Sequence, residues 1–131
     1  MAQPDIEIYV KNVALPQLLA WIGQHFELPE PSDTWEKRFT LGKTIHMELV
    51  RQQQTIPLMI TPNAAGKAFT SIWFKSSHTP WSDDLSCGRE CAQVLELEVR
   101  CSAAGWQEEE ALDSEQWWVI KDGQERQVRW G

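Results

Sequence analysis

Short runs of alternating apolar and polar residues recur along this chain and restrict its fold more than any other feature. A period of two marks a strand with one buried face, because successive side chains point to opposite sides. Ile6, Ile8 and Val10 alternate with Glu7, Tyr9 and Lys11. Ile45, Met47 and Leu49 alternate with Thr44, His46 and Glu48, and Ile56, Leu58 and Ile60 resume the pattern after a polar turn. Pro57 has no amide donor, so its run predicts an edge position or a bulge. Ala68–Lys75, with Phe69, Ile72, Trp73 and Phe74, is apolar on both faces and reads as a central strand. From Leu95 onward, Leu97, Val99 and Cys101 alternate with Glu96, Glu98, Arg100 and Ser102, which predicts a further strand.

Asp122-Gly123 between two strand-like runs signals a two-residue hairpin turn, pairing 121 with 124, 119 with 126 and 117 with 128. One face of that hairpin then carries Trp117, Val119, Val128 and Trp130; the other carries Trp118 and Ile120 opposite Gln127 and Glu125. Helical spacing appears at Leu15, Leu18, Leu19, Ile22 and Phe26, with Pro16 suited to a first turn. Pro29 and Pro31 mark 27–38 as a loop. A second helix is expected after Ser82 or Asp83 as cap, with Leu85, Gly88, Cys91, Ala92 and Leu95 as its packed stripe. The 103–115 stretch reads as an excursion before the hairpin. The expected fold is a single α+β domain over residues 1–131, a mainly antiparallel sheet with two helices packed on one face. Its expected core is ferredoxin-like (split β-α-β), extended by the C-terminal hairpin.

Composition narrows the function classes. Hydrophobic residues at 42% and charged residues at 24% are ordinary for a globular chain, which excludes wholesale disorder. The Met-Ala-Gln-Pro-Asp start lacks a signal peptide's basic and apolar regions, and no run approaches the roughly 18 apolar residues of a membrane helix. With three cysteines, Cys87, Cys91 and Cys101, the expectation is reduced thiols in the cytoplasm. The net charge is −7, and residues 82–115 alone carry −8. That balance disfavours nucleic acid and suits a basic protein partner. Only Lys121, Arg126 and Arg129 offer a basic cluster.

Known catalytic motifs are missing. Gly66-Lys67 lacks both the first glycine and the following Ser or Thr of a phosphate loop. His78, Cys87, Cys91 and Cys101 could supply four zinc ligands in kind, but their spacings depart from short zinc knuckles, so neither metal nor cofactor is expected. His78 and Cys87 are secondary candidates for a thiol site at a helix start, opposed by Asp83 and Asp84, which raise a thiol pKa. His46 and Glu48 read as a surface pair.

Eight tryptophans are harder to absorb into one core. Trp35 in the proline loop, Trp81 before the second helix and Trp118 on the hairpin's polar face are the expected exposed ones, with Arg129 beside the last. The leading reading is a small non-enzymatic protein-binding module using these side chains beside an acidic face. The rival is a small-molecule-binding domain or minor enzyme at the 76–91 loop, where Ser76, Ser77, His78 and Ser82 surround a helix N-terminus.

Overall fold

In the computed structural model, residues 5–65, 68–102 and 116–129 are described. They form β1 (Ile6–Lys11), α1 (Leu15–Ile22), α2 (Asp33–Thr40), β2 (Ile45–Arg51), β3 (Gln54–Ala65), β4 (Phe69–Phe74), α3 (Asp84–Leu95), β5 (Val99–Ser102), β6 (Gln116–Lys121) and β7 (Gln124–Arg129). The strands make one sheet in the order β2-β3-β4-β1-β5-β6-β7. Every neighbouring pair is antiparallel. The first strand of the chain is therefore the middle of the sheet. β4 and β5 flank β1 and run parallel to each other, and β3, beyond β4, runs parallel to β1.

The alternation of β1 translates directly into burial: Ile6, Ile8 and Val10 are fully buried, while Glu7, Tyr9 and Lys11 are half-buried on the other face. Ile72 and Phe74 of β4 stand opposite Ile8 and Ile6 and continue the same core layer. Ile45, Leu49, Ile56, Leu58, Ile60, Val99 and Cys101 complete the layer along the sheet. Leu15, Leu18, Trp21 and Ile22 from α1 and Cys87, Cys91 and Leu95 from α3 close over it. Trp35 and Phe39 of α2 pack against the same cluster, so the three helices lie on one side of the sheet.

Three expectations need correction. The 27–38 stretch is not all loop, because Ser32 caps α2 by accepting from the Thr34 amide at 3.3 Å, with Asp33 and Glu36 in the positive first turn. There are thus three helices among the described residues, not two. The strand expected from Leu95 begins only at Val99. Leu95 lies one turn beyond Cys91 and extends the apolar stripe of α3, which ends where Glu96 turns left-handed (φ 57°) and donates its amide to the Ala92 carbonyl.

Pro57 sits on β3, between β2 and β4, but its position is locally an edge. In an antiparallel ladder a residue's N–H and C=O point to the same side. The Pro57 carbonyl accepts from Lys75, one residue beyond the end of β4, so its missing N–H faces the end of that ladder and leaves the β2–β3 pairing intact. A separate register shift follows between Thr61 and Ala65. The hairpin pairs as expected: Lys121 with Gln124, Val119 with Arg126, Trp117 with Val128. Asp122 and Gly123 both have positive φ (53° and 75°), as a type I′ turn requires.

Gly88 of α3 packs directly against side chains of the sheet. A β-carbon there would lie 2.9 Å from Ile120 Cδ1 and 3.4 Å from Val99 Cγ1. Gly88→Val is expected to destabilise the domain by about 2 kcal/mol through overpacking. A urea titration should show a lower midpoint at unchanged slope; an unchanged midpoint would mean the helix does not sit this close.

Candidate functional site

Two places on the helical side concentrate unusual side chains. The first is the Glu90 carboxylate on α3. Its Oε2 accepts from the Trp21 indole N–H at 2.9 Å and from His25 Nε2, and its Oε1 accepts from the Trp81 indole N–H at 3.2 Å. Burial alone would raise the Glu90 pKa, but the bonds from His25, Trp21 and Trp81 outweigh it and hold the carboxyl below its ordinary value. Beneath the carboxylate, Trp81 lies 5.4 Å from Trp21, 5.2 Å from Phe74 and 5.2 Å from His25, ring centre to ring centre. Phe26 stacks on Phe74 at 5.4 Å. The whole group is a polar-capped aromatic joint between α1, α3 and the approach to α3.

The second is a groove of about 600 Å³ between α1 and the segment that leads into α2. Leu15, Leu19, Leu28, Pro29, Pro31 and Trp35 give it an apolar lining. Pro29 and Pro31 hold the outer wall extended, and the Ser32 cap then turns Trp35 back toward α1. Arg38 Nε donates to the Thr44 carbonyl at 2.7 Å and fixes the far end of α2 to the approach to β2. Residues 12–36 contain Glu27, Glu30, Asp33 and Glu36 and no lysine or arginine. All four acids are exposed, and Glu36 is the one that lines the groove.

The residues singled out in the sequence do not converge. Trp35 is half-buried and lines the groove. Trp81, expected to be exposed, is 5% exposed and belongs to the aromatic joint; the Pro80 turn drives it into the core ahead of the helix. Trp118 is half-buried and faces the helical side, opposite Cys101, instead of a polar surface. Arg129 is exposed on β7. β2, against which α2 packs, and β7 are opposite margins of the sheet, so Trp35 is remote from Trp118 and Arg129. Trp106 and Trp130 lie outside the described residues.

Cys87, Cys91 and Cys101 are free and fully buried. Burial pushes the Cys87 and Cys91 thiols well up and Cys101 up to about 12, so all three are protonated at neutral pH. His78 is exposed in the loop, and its amide donates to Ser76 Oγ at 3.0 Å. No hydrogen bond joins His78 to Cys87 among the described residues, and no three metal-ligating side chains cluster there. At the start of α3, Asp83 Oδ1 accepts from the Ser86 amide at 2.8 Å, and Asp84 Oδ1 accepts from the Glu7 amide at 3.0 Å. The helix N-terminus is thus capped by the Asp83 carboxylate, while Asp84 ties the helix start to β1.

Those bonds also disperse the acidic segment. Asp83, Asp84 and Glu90 accept hydrogen bonds on the helical side, and Glu98 accepts from Arg100 at 2.9 Å. Glu108, Glu109, Glu110, Asp113 and Glu115 lie outside the described residues. His46 and Glu48 are both exposed on the outer face of β2. On that outer face Tyr9 meets Trp117 edge-on at 5.3 Å, and Arg100 lies over Phe69 at 5.0 Å. No described helix is long and apolar enough to cross a membrane. Comparison with known proteins returned no matching family, curated protein or solved structure.

The joint and the helix start each yield a stability prediction. Glu90→Gln replaces one acceptor oxygen with an amide donor facing indole and imidazole donors, and should cost about 1–2 kcal/mol in thermal or urea unfolding. Asp84 behaves oppositely: burial lifts its pKa from 3.8 to about 6, so the folded state holds its proton more tightly than the unfolded chain. Its contribution to stability is therefore greatest below pH 4, falls as pH rises toward 6, and stays unfavourable above. Asp84→Asn keeps the acceptor for Glu7 and should stabilise the domain by about 1–3 kcal/mol at pH 7.5, with no gain at pH 3.5. A difference between wild type and variant that did not change with pH would contradict the assignment.

Proposed function

We propose that this chain is a non-enzymatic protein-binding module, and that its groove between α1 and residues 28–36 holds an apolar, basic segment of a partner protein. The observation that carries the reading is an apolar groove containing Trp35, with Glu36 in its lining and Glu27, Glu30 and Asp33 exposed along the same stretch of chain. An apolar anchor would fill the groove, while lysine or arginine on the same segment would meet Glu27, Glu30, Asp33 and Glu36. Trp35 keeps the binding role assigned from the sequence; Trp81 leaves it for the aromatic joint.

The same reading treats β1, β3, β4 and β5 with α1 and α3 as a ferredoxin-like core, with β2 and the β6–β7 hairpin as additions. The parallel relation of β3 to β1 across β4, and of β5 to β4 across β1, supports this. A reducing, cytoplasmic setting goes with it, supported by three buried free thiols. The rival site at residues 76–91 has less support, because the Asp83 carboxylate caps the helix start that an anion would need.

A Leu/Lys amphipathic helical peptide is the test probe, titrated against the 15N-labelled domain. Shift changes are expected at Leu19, Ala20, Leu28 and the Trp35 indole, with binding weakened about tenfold or more in Trp35→Ala or Leu19→Asp. A Leu/Glu peptide of the same pattern should not bind. Equal binding of both peptides, or changes confined to other surfaces, would overturn the reading.

A further inference from the structure

The two margins of the sheet are finished differently. Beside β2, Glu27 makes an isolated antiparallel bridge with Val50, exchanging N–H and C=O bonds at 2.8 and 3.0 Å. β7 has no third strand beside it among the described residues. A two-residue turn closes on a hydrogen-bonded pair, here Lys121 with Gln124. Bonded pairs then alternate, so Gln124, Arg126 and Val128 bond to β6, while the backbone groups of Glu125, Gln127 and Arg129 point away from it. Among the described residues these outward groups form an edge of the sheet with no strand beside it.

Charged residues on an edge commonly keep copies apart. Here the signs are arranged otherwise. Two antiparallel copies of β7 related by a two-fold axis at Gln127 would place Gln127 opposite itself and Glu125 opposite Arg129, twice. On the other face Arg126 would stand opposite Val128. No like charges oppose each other in this register. Moving the axis to Glu125, Arg126 or Arg129 sets like charges directly across. Arg89 already holds Glu125 through bonds of 2.6 and 3.1 Å, which fixes the carboxylate on the face that Arg129 of a second copy would approach.

We propose that β7 is a self-association edge, through which two copies of this chain pair antiparallel about Gln127 and join their sheets into one. The proposal is independent of the groove, which lies at the opposite margin. Sedimentation velocity on the full chain, from about 10 μM to about 1 mM, is expected to show a monomer–dimer equilibrium. Arg129→Glu and Glu125→Arg should each weaken the dimer about tenfold or more, and the double exchange E125R/R129E should restore it to within about threefold. Gln127→Pro removes only an outward N–H, so it should abolish the dimer while leaving the far-ultraviolet circular dichroism unchanged. A chain that stays monomeric at 1 mM, a charge exchange without rescue, or a dimer that is lost in Trp35→Ala but kept in Gln127→Pro would overturn the proposal.

Discussion

A single carboxylate, that of Glu90, satisfies three donors from two separate stretches of chain, and the helical layer depends on it. α1 is eight residues long, and its N-cap Ala14 has no side-chain acceptor; only Gln17 Oε1 reaches back, accepting from the Ala14 amide at 3.4 Å. A helix of that length has little stability of its own, so its persistence must come from tertiary packing. Trp21 supplies that packing at 1% exposure, but only if its indole N–H finds an acceptor in the same place. Glu90 is that acceptor, and it serves Trp81 and His25 as well. At the other end of α1, the Gln17 amide donates to the Leu95 carbonyl at 3.3 Å, so α1 is tied to both the middle and the end of α3. Those two attachments orient the helical layer, and the layer in turn sets the inner wall of the groove.

The strands were legible because burial on one face writes itself into sequence with a period of two. The hairpin was legible down to its register because Asp122-Gly123 allows one turn type. α2 was not, although its signals were local. Ser32 with Asp33 is a cap followed by an acid, and Trp35 and Phe39 share a helix face, but the prolines just before them dominated the reading. The joint was illegible for a different reason. Trp21, His25, Trp81 and Glu90 are brought together only because β4 crosses beside β1, a topological fact that spacing does not encode. The groove falls between these cases: its prolines and Trp35 were visible, but its inner wall needed the packing of α1.

The tryptophan count misled in an instructive way. Tryptophan is enriched in binding surfaces because it combines apolar area with one donor, and that combination serves an interior joint equally well. Trp21 and Trp81 use both properties at once, area against each other (and, for Trp81, against Phe26 and Phe74) and donors toward Glu90. Charge followed the same pattern. The acids of α3 and its approach that looked like a surface field are largely committed to caps and to this joint, whereas the four acids of residues 27–36 are exposed. Composition located the charge in the chain; hydrogen bonding decides which part of it faces solvent.

One segment accounts for the asymmetry of the whole molecule. After α1, the chain passes Glu27, which bridges to Val50 and closes the β2 margin, and then runs through Leu28, Pro29 and Pro31 to form the outer wall of the groove. Closing that edge and building that wall are therefore consequences of a single course of chain. The opposite margin receives no such segment among the described residues, so the outward backbone groups of β7 have no strand beside them there. Because the Glu27 bridge secures one end of the wall and the Arg38–Thr44 bond secures the far end of α2, the groove is held from both sides without contact from the hairpin. Occupancy of the groove and events at β7 are consequently separable, and a change at one margin should leave the other intact.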